Sequence, residues 1–533
     1  MLSSILCLAL TMVLLTCRSL TSAAVAATLL GASEVNAGNC SVAGIAQPSI
    51  PGGQLLHLTA IPVTGYHDGK TTLSFCNVTV TYTHPGKNDA IHTTIWLPLS
   101  SWNGRLQGSG GGGYAMRQDD SVLAEAVGLN YAVVATDGGH DLVSQNSAAW
   151  SLDTSGHVNM ALLDDFAYVA LNDAAVIGKQ ISHSFYGYGP NRSYWNGCST
   201  GGRQGLMLAQ RYPTAYNGIM AAAPAINWPT FLVAEYWPQF VMNQLQTHPP
   251  TCVTDAITAA AVSACDSLDG VTDGVISAPN LCNFDPLTLV NQTVACNHGS
   301  VKVTKPAALA VKLIWAGMRS SNGTFQWYGL ERGAPLSVGG GSLAATTCSS
   351  PTNCTGSPFA ISSDWIRRYV LQDPAFDLST LDHADLDAIL SRSIAEYNPI
   401  IGTNDPDLSA FKSAGGKMIT WHGLADPVIF PKGTEHYYRQ VQERDPAVRD
   451  FYRFFPAAGV HHCSGGDGPV PVDPLSQVVE WVEGGVAPET LSAQAADGRT
   501  RSLCPWPLVS MYQGGDVMDA RSYTCEHPQR NWF

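Results

Sequence analysis

Positive charge is scarce in this 533-residue chain: Lys and Arg number 28 against 42 Asp and Glu, for a net charge of −14. No run of basic residues occurs, which argues against nucleic acid and anionic membrane as partners, since such runs are what hold them. Long apolar runs are missing too. Apart from residues 2–15, no stretch approaches the ~20 residues that a membrane-spanning helix needs. No internal repeat or low-complexity tract stands out. A mature chain of this length can bury a large core, and reads as one big domain plus an insertion.

The N-terminus reads as a secretory signal peptide over residues 1–26. An apolar run is followed by small residues, with Ala24-Val25-Ala26 as the cleavage site, although the basic n-region is missing. Fourteen cysteines, less Cys7 and Cys17 in that leader, leave twelve, an even number that suits an oxidising, extracellular compartment. Asn-x-Ser/Thr acceptors at Asn39, Asn77, Asn191, Asn291, Asn322 and Asn353 fit a secreted glycoprotein.

The most informative residues are Gly197-Cys198-Ser199-Thr200-Gly201-Gly202. They set Ser199 in the Gly-x-Ser-x-Gly frame of a nucleophile elbow. In such an elbow a turn from strand to helix, too tight for flanking side chains, projects the serine at the top of a sheet. The flanks agree: Ser193-Tyr194-Trp195-Asn196 reads as the end of a buried strand, and residues 203–210 as a helix. A nucleophilic serine needs a base, and the base needs an acid to fix its tautomer; on this fold they follow in the order Ser, Asp or Glu, His. Lys417-Met418-Ile419-Thr420-Trp421 is a strand pattern leading into a loop with Asp426. Phe451-Tyr452-Arg453-Phe454-Phe455 is another, leading to His461-His462-Cys463. If Ser199 and His462 meet, Cys198 and Cys463 come within bonding reach. That bridge closes a loop of 265 residues (463 − 198), which the chain-entropy model values at roughly 5 kcal/mol.

These residues resemble the tannase and feruloyl esterase family, secreted serine esterases whose nucleophile and base are flanked by a bridged cysteine pair. The likeness runs from about Cys40 to the C-terminus. It includes Gly110-Gly111-Gly112-Gly113-Tyr114, Ala135-Thr136-Asp137-Gly138-Gly139-His140 and Ala221-Ala222-Ala223-Pro224-Ala225-Ile226-Asn227-Trp228. The resemblance implies an α/β-hydrolase fold with a large lid insertion and a triad of Ser199, Asp426 and His462. It also implies a substrate that is an ester of an aromatic acid, hydroxycinnamic or gallic, free or attached to plant polysaccharide or polyphenol. The enzyme is expected to act as a monomer or homodimer and to need no cofactor for catalysis. The motif alone says only acyl transfer. An esterase for a specialised aromatic metabolite, a serine peptidase on the same fold and a non-catalytic calcium-stabilised binding protein therefore remain as alternatives.

Sequence character changes between Trp228 and about Asn404, where aromatics, cysteine pairs and turn residues replace strand-like runs. We expect a split catalytic domain, 40–227 and 405–533, with 228–404 as the lid. Oxyanion donors are expected from the Thr200 amide and from the glycine loop 108–113, with Gly112 favoured. In the lid, Cys265-Asp266-Ser267-Leu268-Asp269-Gly270-Val271-Thr272-Asp273-Gly274-Val275 carries three carboxylates with no His among them, a hard oxygen set that suits calcium. The family pattern implies Asp266, Asp269 and Asp273 as carboxylate ligands, and Val271 and Val275 through main-chain oxygens. Cys265–Cys282, Cys504–Cys525 and Cys40–Cys76 are expected bridges; Cys348–Cys354 and Cys252–Cys296 are guesses, because connectivity does not follow from sequence. His461 rivals His462 as base, and Asp467 rivals Asp426 but lies after the histidine. His140 and His422 read as hydrogen-bonded residues near the site.

Overall fold

Segments dense in β-branched and aromatic residues pair into one nine-stranded sheet in the computed structural model, which describes residues 38–297, 299–337 and 342–528. The expected leader, 1–26, lies outside these residues. The strands are β1 (Gln54–His67), β2 (Thr72–Thr83), β3 (Ile91–Pro98), β4 (Arg105–Ser109), β5 (Ala132–Thr136), β6 (Arg192–Cys198), β7 (Gly218–Ala222), β8 (Lys417–Gly423) and β9 (Tyr452–Ala457). Their order across the sheet is β1-β2-β3-β5-β4-β6-β7-β8-β9. The first three pairings are antiparallel, and the five from β5 to β9 are parallel. Parallel strands are covered on both faces and so read as continuous apolar runs; Ala-Val-Val-Ala-Thr of β5 and Gly-Ile-Met-Ala-Ala of β7 are buried throughout.

Alternate side chains of a strand point to opposite faces, and the core divides accordingly. Val134 and Trp195 join the cluster under the helix Val169–Tyr186. Their neighbours Val133 and Tyr194 join a second cluster with Val478 and Trp481 of the helix Pro474–Gly484. This mixed sheet with helices on both faces and extra insertions is the α/β-hydrolase fold.

Among the described residues, the segment between β7 and β8 adds no strand to the large sheet; its strands form separate two-stranded hairpins such as Thr293–Cys296 with Gly299–Lys302. It still shares the main core, since Trp228, Phe231 and Trp365 pack in the same cluster as Leu106 and Val134. Disulfides join Cys40–Cys76, Cys252–Cys296, Cys265–Cys282, Cys348–Cys354 and Cys504–Cys525, besides the one at the site below. No helix among the described residues is long and apolar enough to cross a membrane.

Candidate active site

Strand β6 ends at Cys198, and the helix Thr200–Arg211 starts two residues later. Ser199 makes the turn alone, at φ 64° and ψ −124°, a strained conformation for a residue with a side chain and the hallmark of an elbow. The turn is closed so tightly that a Cβ on Gly197 would stand 2.5 Å from the carbonyl of Gly201. Ser199 is anchored through its amide to the Ala222 carbonyl at the end of β7, 3.1 Å.

Asp426 lies on the loop leaving β8 and is fully buried. Its Oδ1 accepts the amides of Val428 and Ile429 at 2.8 and 2.9 Å. Its Oδ2 faces His462 Nδ1 at 2.7 Å and His422 Nε2 at 3.1 Å. Burial alone would raise the Asp426 pKa, but the charge of His462 and hydrogen bonds from His422 and His462 outweigh it and hold the carboxyl well below the usual carboxylate range. For His462, burial favours the neutral ring, yet the Asp426 charge and hydrogen bond win and raise its pKa above 6.5. The remaining nitrogen of His422 sits 2.8 Å from Thr434 Oγ1. Nδ1 then accepts the threonine hydroxyl while Nε2–H donates to Asp426.

Cys198 and Cys463 are bonded, with their Cα atoms 5.9 Å apart. The bridge ties the end of the nucleophile strand to the histidine loop; Ser199, next to one half-cystine, and Cys463, the other, are both held at positive φ. Ser199, Thr200, Cys198, His462 and Cys463 line one cavity of about 620 Å³. No hydrogen bond joins the Ser199 hydroxyl to His462 among the described residues; such contacts often tighten only with substrate. Trp228, Phe231, Leu232, Phe359 and Ile429 give the cavity an apolar wall, and Arg117, Gln118 and Asp119 a polar one.

The glycine loop is stitched to the elbow helix. Gly201 N–H donates to Gly111 O at 3.0 Å, Gly111 N–H to Gln204 Oε1 at 3.0 Å, and the Thr200 hydroxyl to Gly113 O at 2.6 Å. The Thr200 amide opens the helix, where N–H groups lack intrahelical partners. The Gly112 amide donates to Ala115 O at 3.1 Å, so it reaches an oxyanion only as a shared donor, and the Gly113 amide makes no such bond among the described residues.

His461 and Asp467 stand together beside a small separate cavity; burial lowers the pKa of His461. His140 stacks on Trp150 with ring centroids 4.2 Å apart. Asp266 accepts the amides of Asp273 and Gly274 at 3.0 and 2.9 Å. Asp273 pairs through Oδ2 with Arg499 and Arg501 at 3.3 and 2.6 Å, which leaves its buried Oδ1 without a partner. Asp269 is pushed up to about 6, by burial first and then by Asp273 and Asp266. An orphaned carboxylate oxygen beside crowded acids fits a hard cation. One cluster that could hold a metal lies elsewhere: His84, Asp89 and Asp165 bring ligand atoms within 4.8 Å of one another. Burial, then Asp89 and Asp173, push Asp165 up to about 8. Of the glycosylation acceptors, Asn39, Asn191, Asn291, Asn322 and Asn353 are exposed, while Asn77 is half-buried within β2.

Sequence reasoning passed over Gln204, whose carboxamide fixes the glycine loop, and Glu235 in the cavity wall. The second left a signal, a carboxyl four residues after Phe231 and three after Leu232 on an otherwise apolar helical face.

A model of the family described as tannase and feruloyl esterase matches residues 76–526. A probable feruloyl esterase of Arthroderma benhamiae is 40% identical over 507 residues, covering 91% of this chain and 94% of that protein. Among solved structures, the tannin acyl hydrolase from Aspergillus niger superposes with a TM-score of 0.82 at 27% identity, covering 91% of this chain and 94% of its own. Feruloyl esterase B from Aspergillus oryzae gives 0.75 at 27% identity, covering 90% and 97%.

Proposed function

The chain belongs to the tannase and feruloyl esterase family, and from that premise we propose that it hydrolyses carboxylic esters of aromatic acids, hydroxycinnamic or gallic, through an acyl-enzyme on Ser199. The observation that carries the reading is the contact of 2.7 Å between His462 and the buried Asp426, held beside Ser199 by the Cys198–Cys463 bridge. His462 takes the Ser199 proton as the hydroxyl attacks the ester carbonyl, then passes it to the leaving alcohol. Asp426 orients the imidazole and stabilises its charge, and water, activated by the same His462, releases the acid. Negative charge on the carbonyl oxygen is met by the Thr200 amide and by an amide of the 112–113 loop, each worth on the order of 3 kcal/mol.

The segment 228–404 acts as the lid that shapes the acyl pocket, supported by the cavity contacts of Trp228, Phe231 and Phe359. Calcium bound by the Asp266–Val275 loop would be structural, held by the carboxylates of Asp266, Asp269 and Asp273 and the main-chain oxygens of Val271 and Val275. Disulfides and exposed sequons support a secreted glycoprotein. Purified protein tested on the methyl esters of ferulic, p-coumaric, caffeic, sinapic and gallic acids should cleave at least one. Ser199→Ala should abolish that activity with the melting temperature retained, and residual activity in the folded variant would refute the reading.

A further inference from the structure

The helix Trp228–Ala234 sends Trp228, Phe231 and Leu232 into the cavity, at positions i, i+3 and i+4 of one helical face. The next place on that face, i+7, is Glu235, which also lines the cavity. It is 1% exposed, and its Oε2 has no hydrogen-bond partner. No Lys, Arg or His forms an ion pair with it among the described residues. A lone carboxyl in such surroundings is costly to bury, and among the described residues no group repays it: Tyr114, close enough to feel the Glu235 charge, already donates to Ile361 O at 3.2 Å. Burial, reinforced by the charge of Asp426, raises the pKa of Glu235 well above 4.5. Burial thus favours the protonated carboxyl, which offers a donor and an acceptor.

We propose that Glu235 is a specificity residue, whose carboxyl hydrogen-bonds a hydroxyl on the aromatic ring of the acyl group. This rests on the ester-hydrolase reading above and adds to it the feature of the acid that is recognised. The ring is the source favoured over the alcohol because Glu235 shares its wall with Trp228, Phe231 and Phe359, surroundings that accept an aromatic face. The polar side of the cavity, Arg117, Gln118 and Asp119, suits the departing alcohol. A pocket built around a hydrogen bond rejects a ligand that lacks the matching group, because its own polar atom is then left unpaired.

The test compares methyl 4-hydroxycinnamate with methyl cinnamate, which release the same alcohol and differ by one ring hydroxyl. The wild-type enzyme should favour the hydroxylated ester at least tenfold in kcat/KM. In Glu235→Leu that ratio should fall at least tenfold, while the melting temperature stays level or rises because a buried unpartnered group has gone. Glu235→Gln, which can still donate and accept, should keep most of the preference. An unchanged ratio in Glu235→Leu overturns the assignment. So does equal use of the two esters by the wild-type enzyme, a result that needs no variant to fold. Absence of hydrolysis of every ester by the folded wild type would instead overturn the ester-hydrolase reading, and this assignment with it.

Discussion

His422 and His462 converge on one oxygen of Asp426, at 3.1 and 2.7 Å, while two main-chain amides hold the other. The carboxylate is thereby fixed in all directions before substrate arrives. His422 touches neither the cavity nor the serine, and it acts by positioning Asp426. His422→Ala should lower kcat by roughly tenfold to a hundredfold, the worth of a hydrogen bond to a charged group, with KM little changed. Steady-state kinetics beside a melting curve would check this. An equal rise in KM would point to general damage.

The pH profile carries a definite sign. His462 must be neutral to take a proton, and Asp426 raises its pKa above 6.5. The acid limb of kcat/KM should therefore have its midpoint above 6.5. Asp426→Asn removes the charge and leaves burial to dominate, so the limb should move below 6.5 as the rate at pH 8 falls by about 10⁴, the loss known for this change in a serine-protease triad. Stability follows the same couple. The raised His462 pKa contributes below pH 6.5 and is lost as pH rises through the folded value. The depressed Asp426 pKa contributes above 3.8 and is lost as pH falls through its folded value.

Removing the bridge at the site should cost more than stability. The double variant Cys198→Ser/Cys463→Ser should lose about 2–5 kcal/mol of stability and at least tenfold in kcat, since Ser199 and His462 then rely on their separate loops for alignment. Cys504→Ser/Cys525→Ser, which opens a bridge within the C-terminal segment, should lose stability without the loss in kcat. Equal kinetic losses in the two would deny the Cys198–Cys463 pair a part in alignment.

Calcium should raise the melting temperature, and a chelator such as EGTA should lower it. In Asp269→Asn the difference between the two conditions should vanish. A melting temperature indifferent to calcium in the wild-type protein would remove the ion from this account.

Much of the site was legible because its chemistry is local in sequence. The elbow needs glycine at 197, where a Cβ would strike Gly201, and the acid and base each follow an apolar strand. The cysteines next to Ser199 and His462 supplied a long-range clue that most sequences lack. Other features depend on where chains meet. The Gly112 amide, favoured as an oxyanion donor, turns to the Ala115 carbonyl in a tight local bridge that spacing does not reveal. The shared use of Asp426 by His422 arises from the path of the 422–429 loop. The pairing of Asp273 with Arg499 and Arg501 joins residues more than two hundred positions apart. Glu235 was readable only in part: helical periodicity places it on the apolar face, but its isolation in a substrate-sized cavity is a tertiary fact.

The most direct test of the whole account is covalent labelling with a fluorophosphonate ester, read by peptide mass spectrometry and by residual hydrolysis of methyl ferulate. The account predicts one phosphonyl group per chain, attached at Ser199, with activity falling in step with labelling and no label in the folded Ser199→Ala variant. Full esterase activity in a protein that resists the reagent, or inactivation with the label on another residue, would contradict it.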